Sequence, residues 1–438
     1  MKQLYRIRNK IENSKLYSGF LATFIGSGAS KIILVLATFL CANLLGKEEF
    51  GELSFIRNTL NMILCICALN FTTLSTKFTT EAKTSKDSFQ RLFLLFLFSV
   101  SVCVAIGIFL IATPSNLLLK LLSTEVIVKF FKIAAVLLPL FILQPLIEGV
   151  LRGMKEFKLI GILQTISSIL YLIAVYAGIK LCGITGALYG VILYYLLYSV
   201  ATICILLRRY SLKRHIPLLN GFWKQKSALY IMILPIFLMS FIDAPVMWFA
   251  QVILSKAGSM EAIGSMTAMM QIRNLAILIP GYFTNTYLAF AGDLNAQQKH
   301  GDYYKQYAKI EKLYFVIGLS LFFCFSILAK PILLLYGSDF ISDWPVMVIS
   351  NIGIPITMFI GLYRIDLIIK DHQQYLLYIS MAWNAVWLIT LYLMIELGVS
   401  PLYSFFWSQN IGAIVFVASL YYIYKKDKIK LTRDYEKD

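Results

Sequence analysis

The chain has 438 residues, 59% of them hydrophobic and only 14% charged, with a mean hydropathy of +0.74. Ordinary globular domains are about 45–50% apolar and about 25% charged, so this composition excludes a soluble enzyme, a disordered chain and a disulfide scaffold. The formal net charge of +17 would suit nucleic acid, but the basic residues fall in short segments between long apolar blocks. A membrane imposes that placement, and it argues against a nucleic-acid partner.

Apolar blocks of 18 or more residues with few charges are membrane-spanning candidates. In chain order they are 17–45, 50–80, 92–112, 127–151, 159–180, 185–207, 228–254, 263–291, 313–335, 345–369, 375–397 and 402–424, which predicts an all-α polytopic protein with 12 transmembrane helices. The basic start Lys2-Gln-Leu-Tyr-Arg6-Ile-Arg8 has the look of a signal n-region. The apolar stretch after it is about twice too long for a signal peptide and lacks a small-residue cleavage pattern, so the first span is expected to stay in the membrane.

Most of the 40 Lys and Arg fall on one side. They lie in Lys2 to Lys15, Lys77 to Arg91, Arg152 to Lys158, Arg208 to Lys226, Lys299 to Lys312, Arg364 with Lys370, and Lys425 to Lys437. Lys47, Lys120, Lys129, Lys132, Lys180, Lys256 and Lys330 lie on the other. The positive-inside rule then puts both termini in the cytoplasm. Outer loops are short, as in Gly46-Lys-Glu-Glu and Cys182-Gly-Ile-Thr-Gly186. The basic segment 208–227 at the middle of the chain reads as a linker. The expected layout is a cytoplasmic N-terminus over 1–16, an N-lobe of six helices over 17–207, the linker, a C-lobe over 228–424 and a cytoplasmic tail over 425–438. Within 292–312, Tyr303, Tyr307, Ile310 and Tyr314 share one helical face, which predicts an amphipathic helix lying at the cytoplasmic interface before span nine.

The two six-span lobes leave a trace of repetition. Ile56-Arg57-Asn58 in span two and Ile272-Arg273-Asn274 in span eight are 216 residues apart, close to half the chain, and each triplet follows a glycine, Gly51 or Gly264. The span before each carries one mid-membrane charge, Lys31 or Asp243. Six spans per lobe make the repeats parallel, related by an axis along the membrane normal.

Ionisable groups inside a bilayer are expensive and usually face a cavity or a partner. Helical spacing puts these charges on polar stripes. Arg57, Asn61, Cys65, Thr72, Thr76 and Thr79 share a face of span two; Lys31 follows Thr23 and Ser27 in span one. Ser240, Asp243, Met247 and Gln251 align in span seven, and Thr267, Gln271, Asn274 and Asn285 in span eight, with Arg273 at that stripe's edge. Spans one, two, seven and eight are therefore expected to line a hydrated central cavity. Lys31, Arg57 and Arg273 against Asp243 make it cationic, a sign that favours an anion, and arginine forks suit phosphate oxygens. The candidate substrate-binding residues are Lys31, Arg57, Asn61, Gln271, Arg273 and Asn274, with Asp243 and Pro245 as coupling or gating residues. Glu148, Arg364 and Asp366 lie near the cytoplasmic face and read as interfacial or structural. The seven cysteines lie mostly within spans and read as reduced packing thiols. His215, His300 and His372 sit in separate segments and suggest no metal site.

Three short motifs carry a family resemblance. Ser27-Gly-Ala-Ser-Lys31 lies within the first span, Leu44-Leu-Gly46-Lys-Glu-Glu-Phe50-Gly51 is similar to an LG-x-x-x-(F/Y)-G turn, and Gly149-Val-Leu-Arg152-Gly153 to a G-x-x-(R/Q)-G segment. With the twelve-span layout, the chain resembles the polysaccharide flippases of the multidrug/oligosaccharidyl-lipid/polysaccharide exporter superfamily. That resemblance implies a V-shaped pair of lobes in a bacterial inner (cytoplasmic) membrane. It implies alternating access and a cationic lumen for undecaprenyl-diphosphate-linked oligosaccharide, the repeat unit of O-antigen or capsule. No cofactor is implied beyond a coupling H+ or Na+, no enzymatic activity, and polysaccharide polymerase machinery is the partner it suggests. Two alternatives stand beside it. A cation-coupled multidrug exporter of the same superfamily should line its cavity with carboxylates, and only Asp243 is available. A polytopic glycan polymerase or ligase should carry a sizeable external loop, and the spans leave no room for one.

Overall fold

The computed structural model describes residues 2–68, 71–81, 86–116, 125–209, 244–296, 300–370 and 373–435. All regular elements among these are helical: α1 Lys2–Ala68, α2 Phe71–Glu81, α3 Lys86–Ala112, α4 Glu125–Gly153, α5 Phe157–Arg209, α6 over 244–257, α7 Met260–Ala296, α8 His300–Ile327, α9 Ala329–Leu334, a 3-10 turn Ser338–Asp343, α10 Trp344–Ile369, α11 Gln373–Glu396 and α12 Pro401–Tyr435.

Among the described residues eight helices are long and apolar enough to cross a membrane. Two of them, Gly28–Ile66 and Phe157–Ile205, have 39 and 49 residues, about twice the ~20 residues that one crossing takes. Each is broken where the sequence predicts an outer turn, at Gly46 (φ 77°) in α1 and at Cys182–Gly183 in α5. The positive φ at Gly46 is open to glycine because no Cβ meets the carbonyl. Asp243, most of the linker and much of span seven lie outside the described residues.

The chain divides into two compact units, residues 1–45 with 56–244 and residues 46–55 with 245–438. The outer turn 46–55 therefore packs with the second unit, a division that hydropathy does not reveal. In that unit Phe50 is 1% exposed and meets Tyr336 and Phe340 at ring-centroid distances of 6.3 and 6.0 Å. The next residue must be small, because a Cβ on Gly51 would overlap the Met260 carbonyl oxygen. Lys47 pairs with Asp343 at 2.6 Å, and the Ser265 hydroxyl donates to the same carboxylate at 2.5 Å.

In the first unit, α2 is fastened to α4 by its lower stripe. Thr72 Oγ1 donates to the Pro145 carbonyl at 3.1 Å and Thr76 Oγ1 to the Gly149 carbonyl at 3.0 Å. A Cβ on Gly149 would overlap Ser75 Oγ and the Thr72 carbonyl oxygen, and one on Gly153 would lie 2.7 Å from the Thr76 carbonyl oxygen. Small residues let membrane helices approach closely where no hydrophobic force between them exists. The Gly149-Val-Leu-Arg152-Gly153 segment is thus a packing notch for α2.

The predicted interfacial helix over 292–312 is corrected. The described part from His300 is one helix continuous with span nine, and Tyr303, Tyr307 and Tyr314 are buried. The stripe is real, but its hydroxyls find partners inside the protein and not at a headgroup surface. Tyr303 donates to Asp366 Oδ1 at 2.6 Å, Tyr307 to the Leu362 carbonyl at 3.0 Å, and Tyr314 shares a hydrogen bond with Thr284 at 2.5 Å. Lys370 completes the site with Asp366 Oδ2 at 2.9 Å. Burial disfavours the Lys370 ammonium, but the Asp366 carboxylate and the Tyr304 hydroxyl outweigh it and hold its pKa above the ordinary lysine value.

Replacing Gly149 by leucine should force α2 from α4 and cost about 1–3 kcal/mol, read as a lower melting temperature of the detergent-purified protein. Gly28→Ala, where a Cβ meets nothing within 4 Å, should melt like the unaltered chain. Breaking one side of the buried pair with Lys370→Met should cost about 3–5 kcal/mol in the same measurement.

Candidate functional site

The upper stripe of α1 behaves differently from the threonines of α2. Arg57 and Asn61 are one helical turn apart, so both face the same side. Arg57 is half-buried and Asn61 exposed. The Arg57 guanidinium donates to the Tyr171 hydroxyl of α5, with Tyr195 and Cys41 as its other polar neighbours. The Tyr195 hydroxyl donates to Asn61 Oδ1 at 3.1 Å. Tyrosine and cysteine are neutral at physiological pH, so the neighbours named here for Arg57 are uncharged. None of the ion pairs formed among the described residues includes it.

The tyrosines belong to one aromatic cluster. Tyr194 lies 5.1 Å from Tyr171, 5.2 Å from Tyr195 and 6.2 Å from Tyr198, ring centroid to ring centroid, and Phe141 of α4 lies 5.1 Å from Tyr195. Tyr171 and Tyr198 are buried, at 5% and 2% exposure, while Tyr194 and Tyr195 are partly exposed. Tyr194 and Tyr198 also feel the charge of Glu148, whose Oε1 accepts from Arg152 at 2.5 Å and Gln164 at 3.1 Å. Lys31 is exposed on α1, next to Ser30, whose hydroxyl hydrogen-bonds Ser168 of α5.

The second unit treats its triplet otherwise. Arg273 is 7% exposed and turns away from the stripe, donating from Nη1 to Gln409 Oε1 at 2.7 Å. It fits there because α10 carries Gly353, where an added Cβ would lie 2.8 Å from Nη1. Its Nε is buried and without a hydrogen-bond partner. Asn274 is exposed and Gln271 half-buried on the other side of α7. Gln251 and Thr267 are buried, Pro245 in the first turn of the described part of α6 is half-buried, and Asp243 lies outside the described residues.

The structure thus joins Arg57 with Asn61 on one face and separates Arg273 from Asn274. It adds Tyr171, Tyr194, Tyr195 and Gln409, which the sequence reading does not name. The mid-span runs Tyr194-Tyr-Leu-Leu-Tyr198 and Ser408-Gln-Asn410 were the available signals. Hydropathy windows pass over both because apolar neighbours dominate the average.

A family model described as "Polysaccharide biosynthesis protein" matches residues 16–279, more than half of the chain. No curated protein sequence matches it. Among solved structures, an inward-facing multidrug resistance MATE family transporter of the MOP superfamily superposes with a TM-score of 0.76 at 15% identity, over 92% of this chain and 96% of that one. A MATE transporter in complex with MaL6 superposes at 0.65 and 13% identity, over 96% and 97%. A MOP superfamily transporter from Pyrococcus furiosus superposes at 0.65 and 14% identity, over 95% and 96%; its binding pocket is described as reversed in polarity, suggesting a different function. At these identities the likeness shows the transporter fold.

A charge held by neutral groups inside a membrane is a strain on stability. Arg57→Gln keeps a donor for Tyr171 and removes that charge. It should melt no lower than the unaltered chain in detergent, whereas a fall of several degrees would mark Arg57 as a structural residue.

Proposed function

This chain belongs to the polysaccharide biosynthesis protein family, a family of multi-pass membrane transporters, and we propose that it is a flippase for lipid-linked oligosaccharide. Its substrate in this reading is an undecaprenyl-diphosphate-linked repeat unit, moved from the cytoplasmic to the outer leaflet of a bacterial inner membrane for O-antigen or capsule. The observation that carries the proposal is the environment of Arg57. A guanidinium whose neighbours are Tyr171, Tyr195 and Cys41 keeps its full charge for a ligand, and a diphosphate is the anion that a planar fork suits best. A carboxylate beside it would have neutralised the site and turned it toward cations.

In this mechanism twelve helices in two six-helix lobes alternate in access to the two sides. Lys31, exposed on α1, meets the diphosphate first, and Arg57 with Asn61 takes it over. The triplet residues Arg273 and Asn274 with Gln271 belong to the second lobe's share of the path, Asn274 being the exposed member. Asp243, with Pro245 two residues on, is the candidate coupling residue for H+ or Na+. Differential contact with the two states is what lets a bound ion or head group drive the exchange. The lipid tail stays in the bilayer, and polysaccharide polymerase machinery takes the unit on the far side.

Lys31→Ala and Arg57→Gln should each lower surface glycan at least tenfold without lowering the amount of protein in the membrane. The leaflet location of undecaprenyl-diphosphate oligosaccharide in cells depleted of the chain checks the reading directly. Complete repeat units should accumulate on the cytoplasmic side. Normal surface glycan with altered sensitivity to cationic drugs would replace the flippase by an exporter.

A further inference from the structure

We infer that Tyr194 and Tyr195 form a sugar-binding platform in the first unit, continuous with Arg57, so that one face holds both the diphosphate and the first sugars attached to it. The inference rests on the flippase reading and adds the part of the site that recognises glycan.

The chemistry of a pyranose ring makes three demands. Its apolar C–H face stacks on an aromatic ring, its hydroxyls need amide, hydroxyl or carboxylate partners, and its reducing end is tied to phosphate. All three groups lie within one connected cluster. Arg57 supplies the cation and is bonded to Tyr171. Tyr194 lies 5.1 Å from Tyr171 and 5.2 Å from Tyr195. Asn61, exposed, accepts from Tyr195 at 3.1 Å. Glu148, whose charge reaches Tyr194 and Tyr198, accepts from Arg152 at 2.5 Å and from Gln164 at 3.1 Å. The cluster therefore joins a cation, aromatic rings with an amide, and a carboxylate with an amide. These are the groups that a diphosphate-linked sugar calls for.

Burial separates platform from support. Tyr171 and Tyr198 are buried at 5% and 2% exposure, and Phe141 lies 5.1 Å from Tyr195. These three fix the positions of the rings in front of them. Tyr194 and Tyr195 are only partly covered. A lipid-facing surface would not carry a charged Arg57 and an exposed Asn61 beside those rings, because charged and exposed polar groups avoid hydrocarbon. The uncovered edges of Tyr194 and Tyr195 therefore face the polar side of the unit, where a few polar groups set into an aromatic wall are what orients a ligand.

The test uses the full-length chain in lipid nanodiscs and two probes, undecaprenyl diphosphate without sugar and undecaprenyl-diphosphate-linked repeat units extracted from cells that produce the chain. Binding is read by thermophoresis. Tyr194→Leu, which keeps apolar bulk, should weaken the sugar-bearing lipid about tenfold, equivalent to about 1.4 kcal/mol, and leave the sugarless lipid within twofold. Tyr195→Phe, which removes only the hydroxyl, should weaken the sugar-bearing lipid about threefold. Arg57→Gln should weaken both lipids alike. If both tyrosine variants bind both lipids as the unaltered chain does, or lose both equally, the platform is overturned and the flippase reading stands. If the unaltered chain binds neither lipid, the flippase reading falls and takes the platform with it.

Discussion

The Arg57 guanidinium set against the Tyr171 hydroxyl, with Tyr195 and Cys41 nearby, is the interaction on which the polar face of the first unit turns. Placing arginine at the centre of a bilayer costs at least about 2.5–3.5 kcal/mol, and a hydrogen bond to a charged group returns about 1.5–3 kcal/mol. Arg57 lies nearer the outer end of its span, where that cost is smaller, and the bond to Tyr171 offsets it while leaving the charge itself uncancelled. Three other cations stand beside a carboxylate: Lys370 has Asp366 at 2.9 Å, Lys47 has Asp343 at 2.6 Å and Arg152 has Glu148 at 2.5 Å. The neighbours described for Arg57 include no carboxylate, and Arg273 meets the Gln409 amide. A site tolerated at that cost without a structural return is most economically explained by a ligand that supplies the missing charge.

The same face of one helix path also divides a partly exposed stretch from a packed one. From Arg57 through Asn61 to Cys65 the side chains are at least partly exposed. From Thr72 to Thr79 they are spent on α4, through hydroxyl bonds to the Pro145 and Gly149 carbonyls. Glue between membrane helices and lining of a polar face use the same residue types, small and hydroxylated, so composition does not tell them apart. The partner decides. A stripe facing Gly149 and Gly153 can approach to backbone contact and closes; the stripe at Arg57 and Asn61 faces tyrosine side chains instead.

Much of the fold is legible in the sequence because membrane crossing is a one-dimensional constraint. Hydropathy and length place the breaks at Gly46 and Cys182–Gly183, and the Ile-Arg-Asn repeat singles out Arg57. What it leaves illegible is direction around a helix axis. The stripe Tyr303, Tyr307, Tyr314 has the period of an interfacial helix, yet its hydroxyls are taken up by Asp366, the Leu362 carbonyl and Thr284. Periodicity reports that one side differs, and an interior carboxylate makes that side inward. The tyrosines of α5 are missed for a related reason. Their rings count as apolar in a span, and their hydroxyls acquire meaning only when a residue 114 or 134 positions away, Arg57 or Asn61, is brought against them.

The two triplets show that a repeat can keep a position and lose a role. Arg57 and Arg273 occupy equivalent places in their spans, yet one is half-buried beside an exposed amide and the other is 7% exposed. The difference traces to what faces them. Opposite Arg57 stand Tyr171 and Tyr195. Opposite Arg273 stand Gly353, which has no side chain, and Gln409, whose carbonyl takes Nη1 at 2.7 Å. The guanidinium sinks into the gap and fills it. An arginine so enclosed needs its helices to part before any large anion can reach it. The two triplet arginines therefore differ in burial and partners, and the second unit's arginine serves first as the filling of its own core.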